Sequence, residues 1–536
     1  MPVADGVELY VEVVRPDPAA YPDAGDRWPV ILEASPYHGT LADRDGIRVF
    51  PDPRDAAGKP IGMTGYFAPR GYAVVMADLR GTGRSSGCLD HLGPNDAADL
   101  KAIVEWAASQ DWSNGRVGMT GHSYVGSTPS VAAAQQPEGL VTIVPSAGLT
   151  SMYDHQFQMG VPWLLQWVGP QAAYPWLSTS RHLPPGTPDL AFGSTTGDYF
   201  GEEPQSAACG WQESALTAGH GQVTGQYQDW HAERDWREAA ADIDIPVFMV
   251  HGVKDNAARI PAADWFFADR GADSDDKVWI GQWDHGSSNG NTICAEADRA
   301  TGHVNCRFEQ WQYALHAWFD KHLQQRDVDT GPPVEAFLNG DRVWTATSWE
   351  DATERLALTS SADGSLTDED SAQAGEASYT SYAFQSLVTI NRQPQPVRSE
   401  EIVFSSEPVT EQTVLAGTPV VRLRASVTNP NGTHLIATVY REAADGSREA
   451  MTYCAIQPQF RDGVDNPQPV VPGEAMDLEP SCFTMAHVLD PGERIVLGVG
   501  AWSPHHVSSF AQDARVTVYS GPDATSVDLP VRPGAT

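Results

Sequence analysis

The residues most able to do chemistry centre on a serine in the segment GHSYVG, residues 121–126. A serine hydroxyl attacks a carbonyl carbon when a neighbouring base takes its proton, and a sharp strand-to-helix turn is a common way to present it. The usual form of that turn, G-x-S-x-G, has a glycine two residues after the serine. Here Val125 holds that place and Gly126 comes one residue later. The hexapeptide alone leaves two interpretations open, a catalytic turn or a glycine-flanked corner without chemistry.

The sequence around Ser123 favours the catalytic turn. The serine follows the apolar run RVGMT and precedes GSTPSVAAAQQ, which has the composition of a helix start. Free N–H groups and the helix dipole at a helix N-terminus favour the negative charge that develops during acyl transfer. We therefore expect Ser123 to be a nucleophile and the backbone N–H of Tyr124 to be one oxyanion donor.

A carboxylate and an imidazole follow two later apolar runs. Asp255 comes after VFMVHG and His285 comes after VWIGQW, so that the chain order is serine, acid, histidine. Side chains in loops after parallel strands reach a shared site, and this order is that of the α/β-hydrolases. The rival acids and histidines lie before a strand, inside one, or beside the histidine: Asp244, His251 and Asp284. We predict that His285 takes the proton of Ser123 and that Asp255 orients and stabilises the imidazole.

The elements needed to position these residues alternate along the chain. Short apolar runs rich in β-branched residues predict buried strands at 28–35, 72–79, 116–121, 245–252 and 277–283, with helices at 95–110 and 308–323. The aromatic stripe of the last helix indicates core packing. Strand, helix and strand in this order predict a parallel α/β sheet.

The length of 536 residues exceeds one core, so several domains are expected. We predict an α/β-hydrolase domain in two parts, 1–145 and 241–326. The Trp-, Pro- and Gly-rich stretch 146–240 interrupts it as a helical cap insertion, and short β-rich runs between turns predict a β-sandwich at 327–536.

The charge excludes several partner classes. With 34 basic and 70 acidic residues the net charge is −36, which disfavours nucleic acid and anionic membranes. No run is long and apolar enough for a membrane span.

The six cysteines form no C-x-x-C pattern, and the acidic run 361–378 lacks EF-hand spacing, so we expect neither a metal nor an organic cofactor. A homo-oligomer is compatible with the sequence.

The cysteines bear on the compartment. Cys294 with Cys306, and Cys454 with Cys482, would suit an oxidising environment, although unpaired thiols are equally compatible with the sequence. The start MPVADGVELY has no apolar signal core. We slightly favour a secreted mature form whose signal peptide has been removed over a cytoplasmic protein.

GHSYVG resembles G-x-S-Y-x-G, the serine motif of the X-prolyl dipeptidyl-peptidase and cocaine-esterase (CocE/NonD, peptidase S15-like) family of α/β-hydrolases. The likeness extends to ADGVELYVEVVRPD, ASPYHG, DLRGTGRSSG and LDPGERIVLGVGAW. It implies an α/β-hydrolase domain, a cap and a C-terminal jelly roll. It also implies that the hydroxyl of Tyr37, in ASPYHG, is the second oxyanion donor. From the residues alone, a packing role for Tyr37 is equally favoured.

The segment EGLVTIVPSAGLTSMYDH and the run VHGVKDN resemble the X-prolyl peptidase branch. We therefore expect a serine hydrolase that releases N-terminal X-Pro dipeptides through an acyl-enzyme. The alternative is a carboxylesterase or acylase of the cocaine-esterase type acting on small esters or amides, and a remote one is a non-catalytic surface- or glycan-binding protein. Candidate pocket residues are Tyr153, Asp154, Trp163 and Trp167. Asp154, Glu202 and Glu203 could pair with a substrate ammonium.

Overall fold

The computed structural model describes residues 1–20, 26–37, 62–163, 224–258, 275–285, 308–340, 342–349, 354–382, 400–429, 432–507 and 513–534. Elements are numbered over these residues alone. The predicted pairing of Cys294 with Cys306 lies outside them, as do Trp167, Glu202 and Glu203.

Nine strands of the described residues form one sheet, in the order β1-β3-β2-β4-β5-β8-β9-β10-β11. The inner strands of this order, β3, β2, β4, β5, β8, β9 and β10, run parallel to one another. The edge strands β1 and β11 pair antiparallel with β3 and β10, respectively. Their bounds are β1 Val11–Val14, β2 Trp28–Ser35, β3 Ala73–Asp78, β4 Ser113–His122, β5 Leu140–Ser146, β8 Phe248–Gly252, β9 Lys277–Gly281, β10 Val334–Phe337 and β11 Val343–Ala346. Two short strands, β6 Phe157–Gln158 and β7 Val161–Pro162, pair separately.

The parallel strands are buried along most of their length, and β2, β3, β8 and β9 are buried throughout. Continuous apolar runs are what a sheet covered on both faces requires. The predicted strand positions and the α/β-hydrolase fold class are therefore confirmed.

Helices cover both faces of this sheet. Their bounds are α1 Gly62–Phe67, α2 Pro94–Ser109, α3 Tyr124–Ala134, α4 Met152–Gln156, α5 Asp229–Ala232 and α6 Phe308–His322. Short 3₁₀ turns lie at Ala68–Arg70, Glu238–Asp242, Glu369–Ser371 and Pro458–Phe460. Leu315, Trp318 and Phe319 of α6 are fully buried in one apolar cluster, which confirms core packing for that part of the stripe.

The turn between β4 and α3 holds Ser123 in a rare backbone conformation. Its φ is 66° and its ψ is −129°, a region that costs a non-glycine residue on the order of 1–3 kcal/mol. Contacts on both sides hold this turn. The Ser123 N–H donates to the Ser146 carbonyl at 2.9 Å, and the Ser127 N–H donates to the Ser123 carbonyl at 3.0 Å. The strained serine is therefore imposed by its surroundings.

Two glycines make the close packing of this turn possible. A Cβ at Gly121 would overlap the backbone and side chain of Val125. A Cβ at Gly126 would overlap the Ser146 carbonyl oxygen, because the first turn of α3 lies directly against the end of β5. The late glycine is therefore a requirement of helix–strand contact, and Val125 occupies a buried position without conflict.

The remaining strands form the C-terminal β-sandwich. Their bounds are β12 Glu354–Ser360, β13 Ser365–Thr367, β14 Gly375–Ser381, β15 Glu401–Ser406, β16 Thr413–Gly417, β17 Val420–Val427, β18 Leu435–Glu442, β19 Arg448–Ile456, β20 Met476–Leu478, β21 Ser481–Cys482, β22 Met485–Leu489, β23 Arg494–Gly500, β24 Ala514–Ser520 and β25 Ser526–Arg532. Their inward side chains make a second apolar core. A disulfide joins Cys454 of β19 to Cys482 of β21, as the sequence suggested, and Cys88 is also disulfide-bonded.

The first sheet extends past the predicted domain boundary at 326/327. β10 pairs in parallel with β9, and β11 returns antiparallel to β10. β10 and β11 therefore belong to the α/β sheet, because β10 supplies the parallel neighbour that covers the edge of β9. The boundaries at 145/146 and 240/241 stay predictions. Among the residues that the structure covers, no helix has the length and apolarity needed to cross a membrane.

Because the backbone at Ser123 is strained, we expect glycine to be more stable than alanine at this position, the reverse of the usual order inside a helix. We expect Ser123→Gly to be more stable than Ser123→Ala by about 1 kcal/mol, because only glycine adopts this backbone without a steric penalty. Urea unfolding of the two variants measures the difference.

The matched control is Ser130 inside α3, where the backbone is helical. There Ser130→Ala should be more stable than Ser130→Gly by about 0.5–1 kcal/mol. The same sign at both positions would contradict the strained turn.

Candidate active site

Three side chains predicted from the sequence meet at the carboxyl edge of the sheet. Ser123 follows β4, Asp255 follows β8 and His285 follows β9, and all three strands point the same way. The Ser123 hydroxyl lies 2.8 Å from Nε2 of His285. Nδ1 of the same ring lies 2.8 Å from Oδ2 of Asp255. The three groups form one hydrogen-bonded chain in which Nδ1–H donates to the carboxylate and Nε2 accepts from the serine.

Asp255 is fully buried, yet its environment keeps it ionised. Its other oxygen, Oδ1, accepts the backbone N–H groups of Ala257 at 2.8 Å and Ala258 at 2.7 Å. Nε2 of His251 lies 3.6 Å from Oδ2 and donates to the Ala258 carbonyl. Burial by itself would raise the pKa of Asp255, but the charge and hydrogen bond of His285 outweigh it and lower this pKa to about 2. A fixed negative charge therefore faces Nδ1 of His285.

The pKa of His285 shifts in the opposite direction, upward. Its side chain is 24% exposed. Burial by itself would lower the pKa of His285, but the charge of Asp255, the hydrogen bond to it and the charge of Asp284 together raise the pKa above the ordinary 6.5. A base with this carboxylate partner is stabilised once it carries the proton.

Two tyrosines flank the serine. The Tyr124 hydroxyl donates to Asp96 at 3.2 Å, which directs that side chain into the core and leaves its amide at the first position of α3. Tyr37 lies just past β2, where its N–H donates to the Ser35 hydroxyl at 3.0 Å. The Tyr37 ring meets the Tyr124 ring edge-on with centroids 6.3 Å apart. The structure thus places Tyr37 beside the nucleophile turn.

Two further histidines near the triad were missed from the sequence. The ring of His122 lies 4.8 Å from the ring of His285, centroid to centroid. His155 of α4 is 5% exposed, and neither ring nitrogen has a hydrogen-bond partner among the residues that the structure describes. Burial, followed by the charge of nearby His285, lowers the pKa of His155 to about 3. His122 stood inside the motif and could have been noticed, whereas no local pattern marks His155.

The candidate pocket residues have structural partners. Tyr153 is buried and its hydroxyl donates to the Gly225 carbonyl at 2.6 Å. Asp154 forms an ion pair with Arg237 at 2.7 Å. Burial raises the pKa of Asp154 to about 6, against the opposing charge of Arg237. The arginine also pairs with Asp235. Since Asp154 already has a cationic partner, it is poorly suited to bind a substrate ammonium.

Trp163 connects the cap to two other parts of the molecule. Its indole N–H donates to the carbonyl of Asn256, the residue after the buried aspartate, at 2.9 Å. Its ring stacks on His505 and meets His506 edge-on, both from the β-sandwich. Trp163 therefore braces the loop that carries Asp255. Among the described side chains, no cluster of histidine, cysteine or carboxylate residues could hold a metal ion.

Two family models match the chain. The model described as X-Pro dipeptidyl-peptidase (S15 family) matches residues 5–287. The model described as X-Pro dipeptidyl-peptidase C-terminal non-catalytic domain matches residues 326–527. The second match begins close to the predicted domain boundary at 326/327, and it includes β10 and β11 of the α/β sheet.

Individual relatives carry two kinds of name. A putative Xaa-Pro dipeptidyl-peptidase from Streptomyces avermitilis is 30% identical over 362 residues, which cover 63% of this chain and 47% of the relative. The cocaine esterase of a Rhodococcus species is 25% identical over 560 residues, which cover 94% and 89%. The chain spans about half the length of the Xaa-Pro dipeptidyl-peptidases that match it at 28–30% identity.

Solved structures support the fold. An α-amino acid ester hydrolase superposes with a TM-score of 0.74 at 20% identity, covering 99% of this chain and 95% of its own. A CocE/NonD family hydrolase from Staphylococcus aureus also reaches 0.74, at 17% identity and with 92% of its own chain covered. Since the first family model alone matches more than half of the 536 residues, this protein belongs to the X-Pro dipeptidyl-peptidase (S15) family of α/β-hydrolases.

Proposed function

We propose that this protein is a serine hydrolase that works through an acyl-enzyme formed on Ser123. The observation that carries the proposal is the continuous hydrogen-bonded chain from the Ser123 hydroxyl through His285 to Asp255, at 2.8 Å in each link. It lies at the carboxyl edge of a parallel sheet, where α/β enzymes place their sites.

The geometry supports a two-stage reaction. His285 Nε2 takes the Ser123 proton as the serine oxygen bonds to the substrate carbonyl carbon, and the carbonyl oxygen becomes an oxyanion. His285 then gives that proton to the leaving amine or alcohol, and the ester with Ser123 remains. A water molecule, deprotonated by His285, attacks this ester, and His285 returns that proton to the Ser123 oxygen as the acid is released. Asp255 stays ionised throughout and stabilises the charged imidazole.

The oxyanion requires two donors in this scheme. The Tyr124 N–H at the start of α3 supplies one, where the helix dipole adds to its effect. The hydroxyl of Tyr37 supplies the second, which the position of its ring beside Tyr124 supports. Preorganised donors of this kind are worth more in a partly buried site than in water.

The preferred substrate is a peptide with proline in the second position, from which the enzyme releases an X-Pro dipeptide. The names of both family models and of the relatives at 28–30% identity support this assignment. A dipeptidyl-peptidase must pair the substrate ammonium with an acceptor, because a buried unpaired charge is costly. Because Asp154 already forms an ion pair with Arg237, we expect an acceptor other than Asp154 to bind the substrate ammonium.

The second candidate substrate is a small ester or amide cleaved by the same residues. The cocaine esterase aligns along 94% of this chain and 89% of its own length, whereas the Xaa-Pro relatives at 28–30% identity align along about half of theirs. This full-length match favours an esterase or acylase as the second candidate. The pairing of Asp154 with Arg237 agrees with it, because a small ester need not carry an ammonium.

A substrate panel separates the two candidates. We expect Ala-Pro and Gly-Pro anilides to be cleaved with higher kcat/KM than the same anilides carrying an N-acetyl group, because only the former present an ammonium. Cleavage of p-nitrophenyl esters without any X-Pro anilide turnover would replace the peptidase by the esterase.

Ser123→Ala should lower kcat on the best substrate by on the order of 10⁶. Activity of that variant within tenfold of wild type would end the serine mechanism.

Removal of one hydroxyl tests the oxyanion role of Tyr37. We expect Tyr37→Phe to lower kcat by about 10²–10³, since the ring stays and only the donor is lost. Tyr313→Phe is the matched control, because Tyr313 on α6 is 64% exposed. A Tyr37→Phe rate equal to that of the control would return Tyr37 to a packing role.

The pKa of His285 predicts the acid limb of the pH profile. Because His285 acts as a base only when neutral, kcat/KM should fall as the pH drops through a midpoint above 6.5. In Asp255→Asn the raising charge is lost, so the midpoint should move to lower pH, and the plateau should fall by about 10⁴. Ester hydrolysis between pH 4 and 9 measures both. An unshifted midpoint in Asp255→Asn would mean that the titration of a group other than His285 causes the loss of kcat/KM at low pH.

A further inference from the structure

His122 lies against the catalytic imidazole on a side that the triad does not use. It is the last residue of β4, directly before Ser123, and it is half-buried. The planes of the His122 and His285 rings are tilted by 44°, with centroids 4.8 Å apart. The two imidazoles therefore pack against each other in a tilted arrangement.

A second residue anchors the His122 ring. Its Nδ1 shares a hydrogen bond of 3.2 Å with the hydroxyl of Ser146 at the end of β5. The backbone carbonyl of the same serine accepts the Ser123 N–H. The ring of His122 also interacts with the backbone of His285. One residue of β5 thus fixes both the turn that carries the nucleophile and the ring that faces the base.

Hydrogen bonds at the two imidazole nitrogens are directed along the ring plane, so they oppose motion of His285 within that plane more strongly than a small rotation of the ring about its Cβ–Cγ bond. A side chain packed against the ring opposes this rotation. Reaction rates are sensitive to such displacements, because an error of about 1 Å in a reacting group can cost about 10²-fold.

The His122 ring is suited to this place because it stays neutral. Burial, followed by the charge of His285, lowers the pKa of His122 to about 3, so the ring is uncharged wherever His285 can act as a base. A second cation here would repel the imidazolium that forms during the reaction. A neutral aromatic face, in contrast, tolerates a cation beside it.

We propose that His122 is a positioning residue that packs against the His285 imidazole and limits its motion, with Ser146 as its anchor. This inference rests on the proposed function, since it assigns a role relative to the His285 base. It explains why the variable position of the serine motif holds an imidazole here. His122 touches no reacting atom in this scheme and acts only through His285.

Three variants test the proposal: His122→Ala, which removes ring and anchor; His122→Phe, which keeps a ring face; and Ser146→Ala, which removes the anchoring hydroxyl. We expect His122→Ala to lower kcat by about 10–10²-fold with KM within about twofold. His122→Phe should recover most of that loss. Ser146→Ala should cost a smaller factor and nothing further in the His122→Ala background, because the two residues act as one unit.

A spectroscopic readout separates positioning from general damage. The proton between His285 Nδ1 and Asp255 should give a far-downfield proton NMR signal in the wild type. It should broaden or disappear in His122→Ala and return in His122→Phe. Thermal unfolding of each variant provides the check on folding, and if His122→Ala does not fold, His122→Phe and Ser146→Ala decide the matter.

Two results would overturn the inference: kcat of His122→Ala within twofold of wild type, or equal losses in His122→Ala and His122→Phe with an unchanged downfield signal. Ser123→Ala, assayed in parallel, separates this failure from failure of the proposed function. An inactive Ser123→Ala with a fully active His122→Ala rejects only the role of His122. An active Ser123→Ala rejects both.

Discussion

The rest of the site depends on the backbone of Ser123, which is held at a positive φ between a strand and a helix. No serine adopts this conformation without an outside constraint, and here the constraint is close contact between α3 and the end of β5. Gly121 and Gly126 allow that contact, and the Ser146 carbonyl receives the Ser123 amide. The hydroxyl is consequently presented at the sheet edge, where a base can reach it.

The side chains of Asp255 and His285, near this turn, differ in their exposure to solvent. Asp255 is fully buried and receives two backbone N–H groups, so its charge is fixed. His285 is partly exposed, and in the proposed mechanism its charge changes during the reaction. Trp163, clamped by the β-sandwich, holds the carbonyl of Asn256 and so steadies the loop that carries the acid. The β-sandwich therefore helps to hold the loop that carries Asp255.

Much of this arrangement was predictable from the sequence because it follows from local patterns and strand direction. The buried strands appeared as apolar runs, and the residues after them, Ser123, Asp255 and His285, had to gather at one edge of a parallel sheet. The extension of that sheet by β10 and β11 was not predictable, because strand pairing at 334–346 depends on the exposed edge of β9 and not on the composition of the segment. The pairing of Asp154 with Arg237 likewise joins residues far apart in the chain.

The sequence by itself determined the fold class, the family resemblance and the identity of three residues able to form a catalytic chain. Each of these is encoded locally, in an apolar period, a motif or a residue that ends a strand. Only the tertiary structure decided which side chains face one another: His122 against His285, Tyr37 beside Tyr124, and Asp154 bound to an arginine. Such contacts arise where separate elements pack together, and no local pattern in the chain specifies them.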